Sequence, residues 1–470
     1  MSQAPSPSLP RVLVMGLGSF GGGSGCVRAL AKEGHPIRVT DLRPATALTE
    51  ALAEIEGLPI SLTLGEHRAE DFQWADWVVV NPAVPAESPW LERARASGCR
   101  LTTEINLALE RLHAVPTLAV TGTHGKSTCA ALAAHLLQGR FPHTALAGNL
   151  GGSFLALAME HPADQPLVLE LSSFQTERLE VAAGWPKVAA IPSLGADHLD
   201  RHGTLQAYHQ AKRRLLQFQS PDDLTLLPDG EDWTTSFAAA GRGRCLWLSQ
   251  RPLPAEKEGW YLAGDQLQER RKGQETTLSR APDFPFSEPY RMPSLLAAVA
   301  GARLLGLPAA EVASRLASFP GLPHRMARLP APQGFRLVDN GVATHPEPTL
   351  AALQHLAGQE PADTVVLVAG GKDKGLDLNP LCEALKNHAP CHLFGAGGQR
   401  LAEHLRQRSL SCHLHDGTQA AVQAALEGLE PGQLLLFSPT FASYDEFLNF
   451  RERARVFQEL CRNWTHMRNC

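Results

Sequence analysis

Short apolar runs ending in glycine or a small polar residue alternate along this chain with stretches whose apolar positions recur at helical spacing. "RVLVMGLG", from Arg11, reads as a buried strand, and "CVRALAKEG" beyond its glycines reads as a helix. "IRVTD" from Ile37 and "ADWVVVN" from Ala75 continue the pattern. "TLAVTG" from Thr117 starts it again, followed by the helical "CAALAAHLLQG" and two more strand candidates, "LVLELSS" and "VAAIPS". Later come "FRLVDN", "TVVLVAGG", "CHLFGAGG" and "LLLFSP", each leading into helix-compatible sequence. Such alternation predicts an α/β fold of parallel, doubly wound sheets.

The runs gather into three clusters, which predicts three doubly wound domains over residues 1–113, 114–321 and 322–470. "FPGLPHR", residues 319–325, reads as the hinge into the third. A stretch rich in Pro, Gly and charge at 252–289 interrupts the second cluster and predicts loops or a small antiparallel excursion.

Composition narrows the class of protein. The chain has 470 residues, 44% hydrophobic and 19% charged, with a net charge of −5. That is a globular composition with apolar material for several cores. Its slight acidity gives no reason to expect nucleic acid or a membrane surface as partner. Nine scattered cysteines without a C-x-x-C pair argue for reduced thiols and against a zinc ribbon or redox motif. The leading "MSQAPSPSLPR" has no apolar centre, and no apolar run is long enough to cross a bilayer, so a cytoplasmic location is expected.

The densest chemistry lies in "VTGTHGKST", residues 120–128. The common phosphate loop, G-x-x-x-x-G-K-[ST], would place glycine where Val120 stands. The segment nevertheless follows a strand and opens a helix. Backbone N–H groups around Gly122, Thr123, His124 and Gly125 suit phosphate oxygens, and the helix start adds a favourable dipole. Lys126 would reach the outer phosphates, while the hydroxyl of Ser127, beside Thr128, suits Mg²⁺. A glycine-rich turn with a solvated lysine is the plainer alternative, and the strand–loop–helix context favours the phosphate site.

Other clusters are less specific alone. Glu170 ends an apolar strand, where a buried carboxylate needs either a salt bridge or a metal. Asp197, His198, Asp200 and His202 crowd the turn after "VAAIPS", and Lys212 follows on a helix as a surface or phosphate-facing lysine. Gly16, Gly18 and Gly21 spell G-x-G-x-x-G, with Asp41 ending the next strand, as in a dinucleotide fingerprint. Asp41 equally suits a helix cap or an exposed strand end. "AGGKDKG" and "SPTFASYDEFLNF" each follow a strand of the third cluster, where Lys372, Lys374 and Ser443 suit an anionic ligand.

Taken in order, "TGTHGKST", "LELSSFQ", "DHLDRHGTLQAYHQAK", "FPGLPHR", "GGKDKG" and "SPTFASYDEF" resemble the Mur ligases over nearly the whole chain. That family's shorter loop, T-G-[TS]-[NH]-G-K-[ST], accounts for the glycine missing at Val120. The resemblance implies a Rossmann-like UDP-binding domain, a central P-loop ATPase domain and a C-terminal Rossmann-like domain, in a monomer. It implies an ATP-dependent ligation in which the carboxylate of UDP-N-acetylmuramoyl-L-alanine becomes an acyl phosphate and is then attacked by the amine of D-glutamate. Another Mur-type amide ligase with a different amino acid is the alternative. An oxidoreductase resting on the G-x-G-x-x-G turn is a reading from a different class.

Residue by residue, the resemblance assigns Lys126 and Ser127 to ATP and its Mg²⁺, with Glu170 and His198 at a second Mg²⁺. Lys212 matches a lysine that reacts with CO₂ to give a carbamate, which joins the metal site. Thr344, Lys374, Ser443 and Phe450 match positions for D-glutamate. Gly18, Asp41 and Asn149 match positions for the UDP-sugar, and His324, Arg325 and Asn340 match nucleotide positions. Several residues depart from the family's pattern. Asn340 and Val342 stand for Asp and Lys, "YRMPS" at 290–294 for H-N-x-x-N, "IPSLGADH" for L-N-V-T-E-D-H, and "NPA" at 81–83 for S-P-G.

Overall fold

A computed structural model describes residues 9–18, 21–286, 289–357, 361, 364–386, 388 and 390–469. The chain divides into two compact units, Met1–Phe319 and Pro320–Cys470. The first unit contains two sheets and the second contains one.

The opening sheet has the order β3-β2-β1-β4-β5, from β1 (Val12–Met15), β2 (Ile37–Asp41), β3 (Ile60–Leu64), β4 (Trp77–Val80) and β5 (Arg100–Thr102). All its pairings are parallel. The central β1 is buried at every position, as expected of a strand covered on both faces. Its run "VLVM" is accordingly apolar throughout and not alternating.

The second sheet is larger. Its strands are β6 (Thr117–Val120), β7 (Ala145–Gly148), β8 (Leu167–Glu170), β9 (Val188–Ala190), β10 (Leu224–Pro228), β11 (Arg244–Ser249), β12 (Gly259–Ala263), β13 (Gln266–Arg271) and β14 (Gln274–Arg280). They lie in the order β14-β13-β12-β11-β10-β9-β6-β8-β7. The interrupted stretch at 252–289 forms the antiparallel end of this sheet. There β12, β13 and β14 pair as hairpins, with Gly264 and Gly273 at left-handed turn positions. Against β6 packs the helix Met292–Leu304, where Leu118 fills the space that a side chain at Gly301 would need.

In the second unit the order is β15-β16-β20-β17-β18-β19, from β15 (Ala327–Leu329), β16 (Arg336–Asp339), β17 (Val365–Gly370), β18 (Cys391–Phe394), β19 (Cys412–His415) and β20 (Leu434–Thr440). Only β15 runs antiparallel to its neighbour. Strands β17 and β20 are buried along their full length. Their two faces separate two apolar clusters, one holding Leu367 and Leu436, the other Val368 and Phe437. Among the described residues all eight cysteines are free thiols.

Candidate active site

Parallel strands bring their carboxyl ends to one edge of a sheet, and loops leaving that edge are where ligands are held. In the central sheet β6 lies between β8 and β9, so the loop after β6 has the ends of both neighbours beside it. Glu170 is the register partner of Val120, and Ala190 pairs Val120 from the other side. Adjacency in the sheet thus gathers three motifs that lie far apart in sequence.

The loop turns at Gly125, whose φ of 74° is left-handed. A Cβ there would also lie 2.1 Å from Ser294 Oγ. Glycine is required twice over, by conformation and by space. Ser294 belongs to the departing segment "YRMPS", so that segment packs against the loop. The helix Lys126–Gln138 starts at once and has no side-chain cap, so its first amides face the loop's mouth. Lys126 Nζ donates to the Gly122 and Thr123 carbonyls at 2.9 and 2.8 Å.

Lys212 Nζ donates to the same Gly122 carbonyl at 2.6 Å. Lys212 is buried, at 1% exposure, and its Nζ lies 4.6 Å from the Tyr208 ring centroid. Burial is the main cause that pulls its pKa down to about 6, and the repulsion of Lys126 adds to it against the attraction of Asp197 and Glu170. At neutral pH this amine is therefore largely unprotonated.

Glu170 is equally buried. Its Oε1 accepts from Asn149 Nδ2 at 3.0 Å, and no ion pair to it occurs among the described residues. Its Oε2 is buried without a hydrogen-bond partner. A carboxylate oxygen left bare inside a protein is costly, and a hard cation would satisfy it. Glu170 and Asp197 both attract the charge of Lys212, and carboxylate oxygens of this kind are the donors that Mg²⁺ takes. His198 is less committed. It sits at φ 50°, exposed, with Nε2 3.4 Å from Asp197 Oδ2 and its ring 4.9 Å from that of Phe174. Among the described residues no three His, Cys, Asp or Glu side chains close on a common metal position.

In the opening sheet the glycine turn stands at the carboxyl end of β1. Asp41 is buried and takes the Leu17 N–H at 3.0 Å and Arg43 Nη2 at 2.9 Å. It is neither a helix cap nor an exposed strand end. Although burial opposes it, hydrogen bonding to Arg43 and to backbone amides holds the Asp41 carboxyl below its ordinary range. Gly18 has φ 72°, and a Cβ there would lie 3.0 Å from Asn81 Nδ2. Asn81, the first residue of the departing "NPA", also donates to the Gly16 carbonyl at 3.3 Å. The turn and the next strand end are therefore built against each other.

In the second unit the loops after β16, β20 and β17 leave three adjacent strands. They carry Thr344, then Ser443, then Lys374, and Phe450 opens the helix Phe450–Asn469 that follows the β20 loop. Lys374 is exposed and Ser443 is buried at 2%. Asn340 is buried and donates to Ser438 Oγ at 3.0 Å, inside a polar network that includes Thr349 and Thr440. His324, at a left-handed φ of 61°, pairs Nδ1 with buried Asp339 at 2.7 Å, and Gln458 binds the same carboxylate. Arg325 lies beside His324 on the same segment.

Some residues that shape these sites were not singled out in the sequence. Tyr208 donates to Thr123 Oγ1 at 3.2 Å, and its spacing of four from Lys212 on one helix was the available signal. Arg453 is wholly buried and donates to the carbonyls of Gly370, Phe441 and Ala442 at 3.2, 2.9 and 3.3 Å. It ties the loop after β17 to the loop after β20, and Lys372 N donates to Ala442 O at 2.8 Å across the same junction. Nothing in its sequence context, an Arg-rich helix, sets Arg453 apart.

Comparison with known proteins agrees with this layout. Residues 10–103 match the model of the Mur ligase MurD-like N-terminal domain, 120–290 the Mur ligase middle domain, and 324–441 the Mur ligase glutamate ligase domain. The UDP-N-acetylmuramoylalanine--D-glutamate ligase of Roseiflexus sp. is 36% identical over 97% of this chain and 99% of its own. That of Geobacter metallireducens is 33% identical over 95% and 96%. Among solved structures, the UDP-N-acetylmuramate-alanine ligase MurC of Thermotoga maritima superposes with a TM-score of 0.61 at 18% identity, over 97% of this chain and 100% of that one. A MurF of Acinetobacter baumannii gives 0.59 at 16%, over 89% and 99%. The last two show the common fold. Kinship along the full length, joined to a phosphate loop and a bared carboxylate on neighbouring strand ends with a buried helix lysine against the loop, makes this chain a member of the Mur ligase family, on its MurD-like branch.

Proposed function

We propose that this protein is an ATP-dependent amide-bond-forming ligase that joins D-glutamate to UDP-N-acetylmuramoyl-L-alanine for peptidoglycan precursor synthesis. The observation that carries the reading is the convergence of Lys126 and Lys212 on the Gly122 carbonyl, beside the unpartnered Oε2 of Glu170. The choice of D-glutamate and of the UDP-sugar is supported by the activity named for the relatives.

The chemistry suits these residues. A carboxylate is a poor electrophile, so its oxygen first takes the γ-phosphoryl group of ATP, which breaks the bond to the β-phosphate bridge. The amine of D-glutamate then attacks the carbonyl carbon, and phosphate leaves. Both steps bring anions together. Lys126 and the amides opening its helix lower that repulsion from fixed positions. Ser127, Glu170, His198 and Lys212 are the residues that would hold Mg²⁺, which supplies charge neutralisation on the phosphates when bound. In the second unit, Thr344, Lys374, Ser443 and Phe450 would hold D-glutamate, and His324, Arg325 and Asn340 the nucleotide. In the first, Gly18, Asp41 and Asn149 would hold the UDP-substrate.

Lys212 would act as its carbamate. The unprotonated Nζ attacks CO₂, an N–C bond forms, and one proton is released, so a neutral buried amine becomes an anion. With ¹³C-bicarbonate, a carbamate carbon signal should be present at pH 7.5 and vanish as the amine protonates below about 6, the pKa of Lys212. It should be missing in Lys212→Arg at every pH. An unchanged signal in that variant would remove the assignment.

Phosphate release with all three reactants tests the function itself. Release should require UDP-N-acetylmuramoyl-L-alanine, ATP and D-glutamate together, and cease when L-glutamate or glycine replaces D-glutamate. Turnover with another amino acid but none with D-glutamate would overturn the substrate assignment.

A further inference from the structure

Ser193 lies in the loop after β9 and departs from the family's residue at its position, and the function above makes no use of it. Its Oγ accepts the His124 N–H at 2.9 Å and donates to the His124 carbonyl at 2.8 Å. One hydroxyl thus satisfies both backbone groups of a single residue of the phosphate loop. The Ser193 carbonyl also accepts from Thr123 N at 3.1 Å, and Gly195 N donates to Thr123 Oγ1 at 2.8 Å. His209 Nε2 lies 3.0 Å from the Gly195 carbonyl, which fixes this strap to the helix that carries Tyr208 and Lys212. A Cβ on Gly122 would lie 2.9 Å from the Ser193 carbonyl, so strap and loop are in close contact.

The strap commits the Thr123 and His124 amides to protein oxygens. The phosphate cradle is then left to Gly125 and the amides that open the following helix. A loop of this kind has several glycine-permitted conformations, and selecting one before the ligand arrives removes an ordering cost from binding. Alanine at 193 can make neither bond of the hydroxyl, whereas threonine keeps both donor and acceptor.

We propose that Ser193 is a positioning residue that sets the conformation of the phosphate loop through the two backbone groups of His124, and so tunes affinity for the diphosphate of a purine nucleotide. The proposal rests on the ATP reading above. Calorimetric titration of Mg·ADP into the wild-type protein tests that reading on its own, since failure there would count against the nucleotide site and not against Ser193. Given wild-type binding, Ser193→Ala should weaken Mg·ADP by roughly five- to tenfold, the order expected for one or two net hydrogen bonds. It should leave the affinity for UDP-N-acetylmuramoyl-L-alanine unchanged and speed amide hydrogen exchange at His124. Ser193→Thr should restore both the Mg·ADP affinity and the His124 exchange rate. Wild-type affinity for Mg·ADP in Ser193→Ala would overturn the proposal. Equal weakening of both ligands would also overturn it, because that would mark a general loss of structure.

Discussion

Lys126→Ala is expected to lower the rate of phosphate release by about 10²–10³-fold, the scale of losing one fixed charge that stabilises a transition state. The melting temperature should hold, because Lys126 is only half-buried and the carbonyls it donates to, those of Gly122 and Thr123, belong to its own loop. The substitution should have a second effect nearby. Lys126 is one of the causes that depress the pKa of Lys212, so its removal should raise that pKa. The carbamate signal of Lys212 should then need a higher pH to appear. A variant with full turnover, or with an unmoved carbamate profile, would show that the two amines do not share one electrostatic environment.

Arg453→Ala should be the most damaging single change to the second unit. The guanidinium is fully buried, and burial lowers its pKa only to about 10, so it stays charged near neutrality. It serves three carbonyls at the ends of β17 and β20. Each buried acceptor left bare costs about 1–3 kcal/mol, so a loss of about 3–5 kcal/mol is expected in urea unfolding, after partial compensation by water. Arg453→Lys should recover only part, because an ammonium lacks the planar fork that reaches all three oxygens. Both variants should weaken use of the amino-acid substrate more than binding of UDP-N-acetylmuramoyl-L-alanine, because the loops that Arg453 joins carry Lys374 and Ser443. A destabilisation under about 1 kcal/mol would mean that the three carbonyls find other donors.

The parallel character of the three sheets was legible because their central strands are buried on both faces. Runs such as "VLVM", "VVLVAG" and "LLLFSP" have no polar face to keep, and only a two-sided core explains them. Edge strands were not legible for the converse reason. β3, "ISLTL", and β19, "CHLH", are partly exposed and carry too few apolar residues to stand out from loops. The stretch at 252–289 is weak in sequence because its hairpin strands β13, "QLQERR", and β14, "QETTLSR", are mostly polar and charged. Trp260 is buried there all the same, with Glu269 accepting from its indole and from Arg303.

What the sequence determined by itself was local. A glycine that must turn left at 125, a lysine and a serine opening a helix, and a carboxylate ending an apolar strand are each dictated by spacing and residue type. Tertiary structure decided which of these meet. Whether Glu170 found a cation or stayed bare depended on β8 lying beside β6 in register, and on Asn149 taking one of its oxygens while nothing took the other. Whether Lys212 faced solvent or the phosphate loop depended on its helix packing beneath Gly122. Hydrogen bonds and charge interactions act over a few ångströms, and a chain separates those partners by dozens of residues. Only the order of strands in the sheet brings them within that reach.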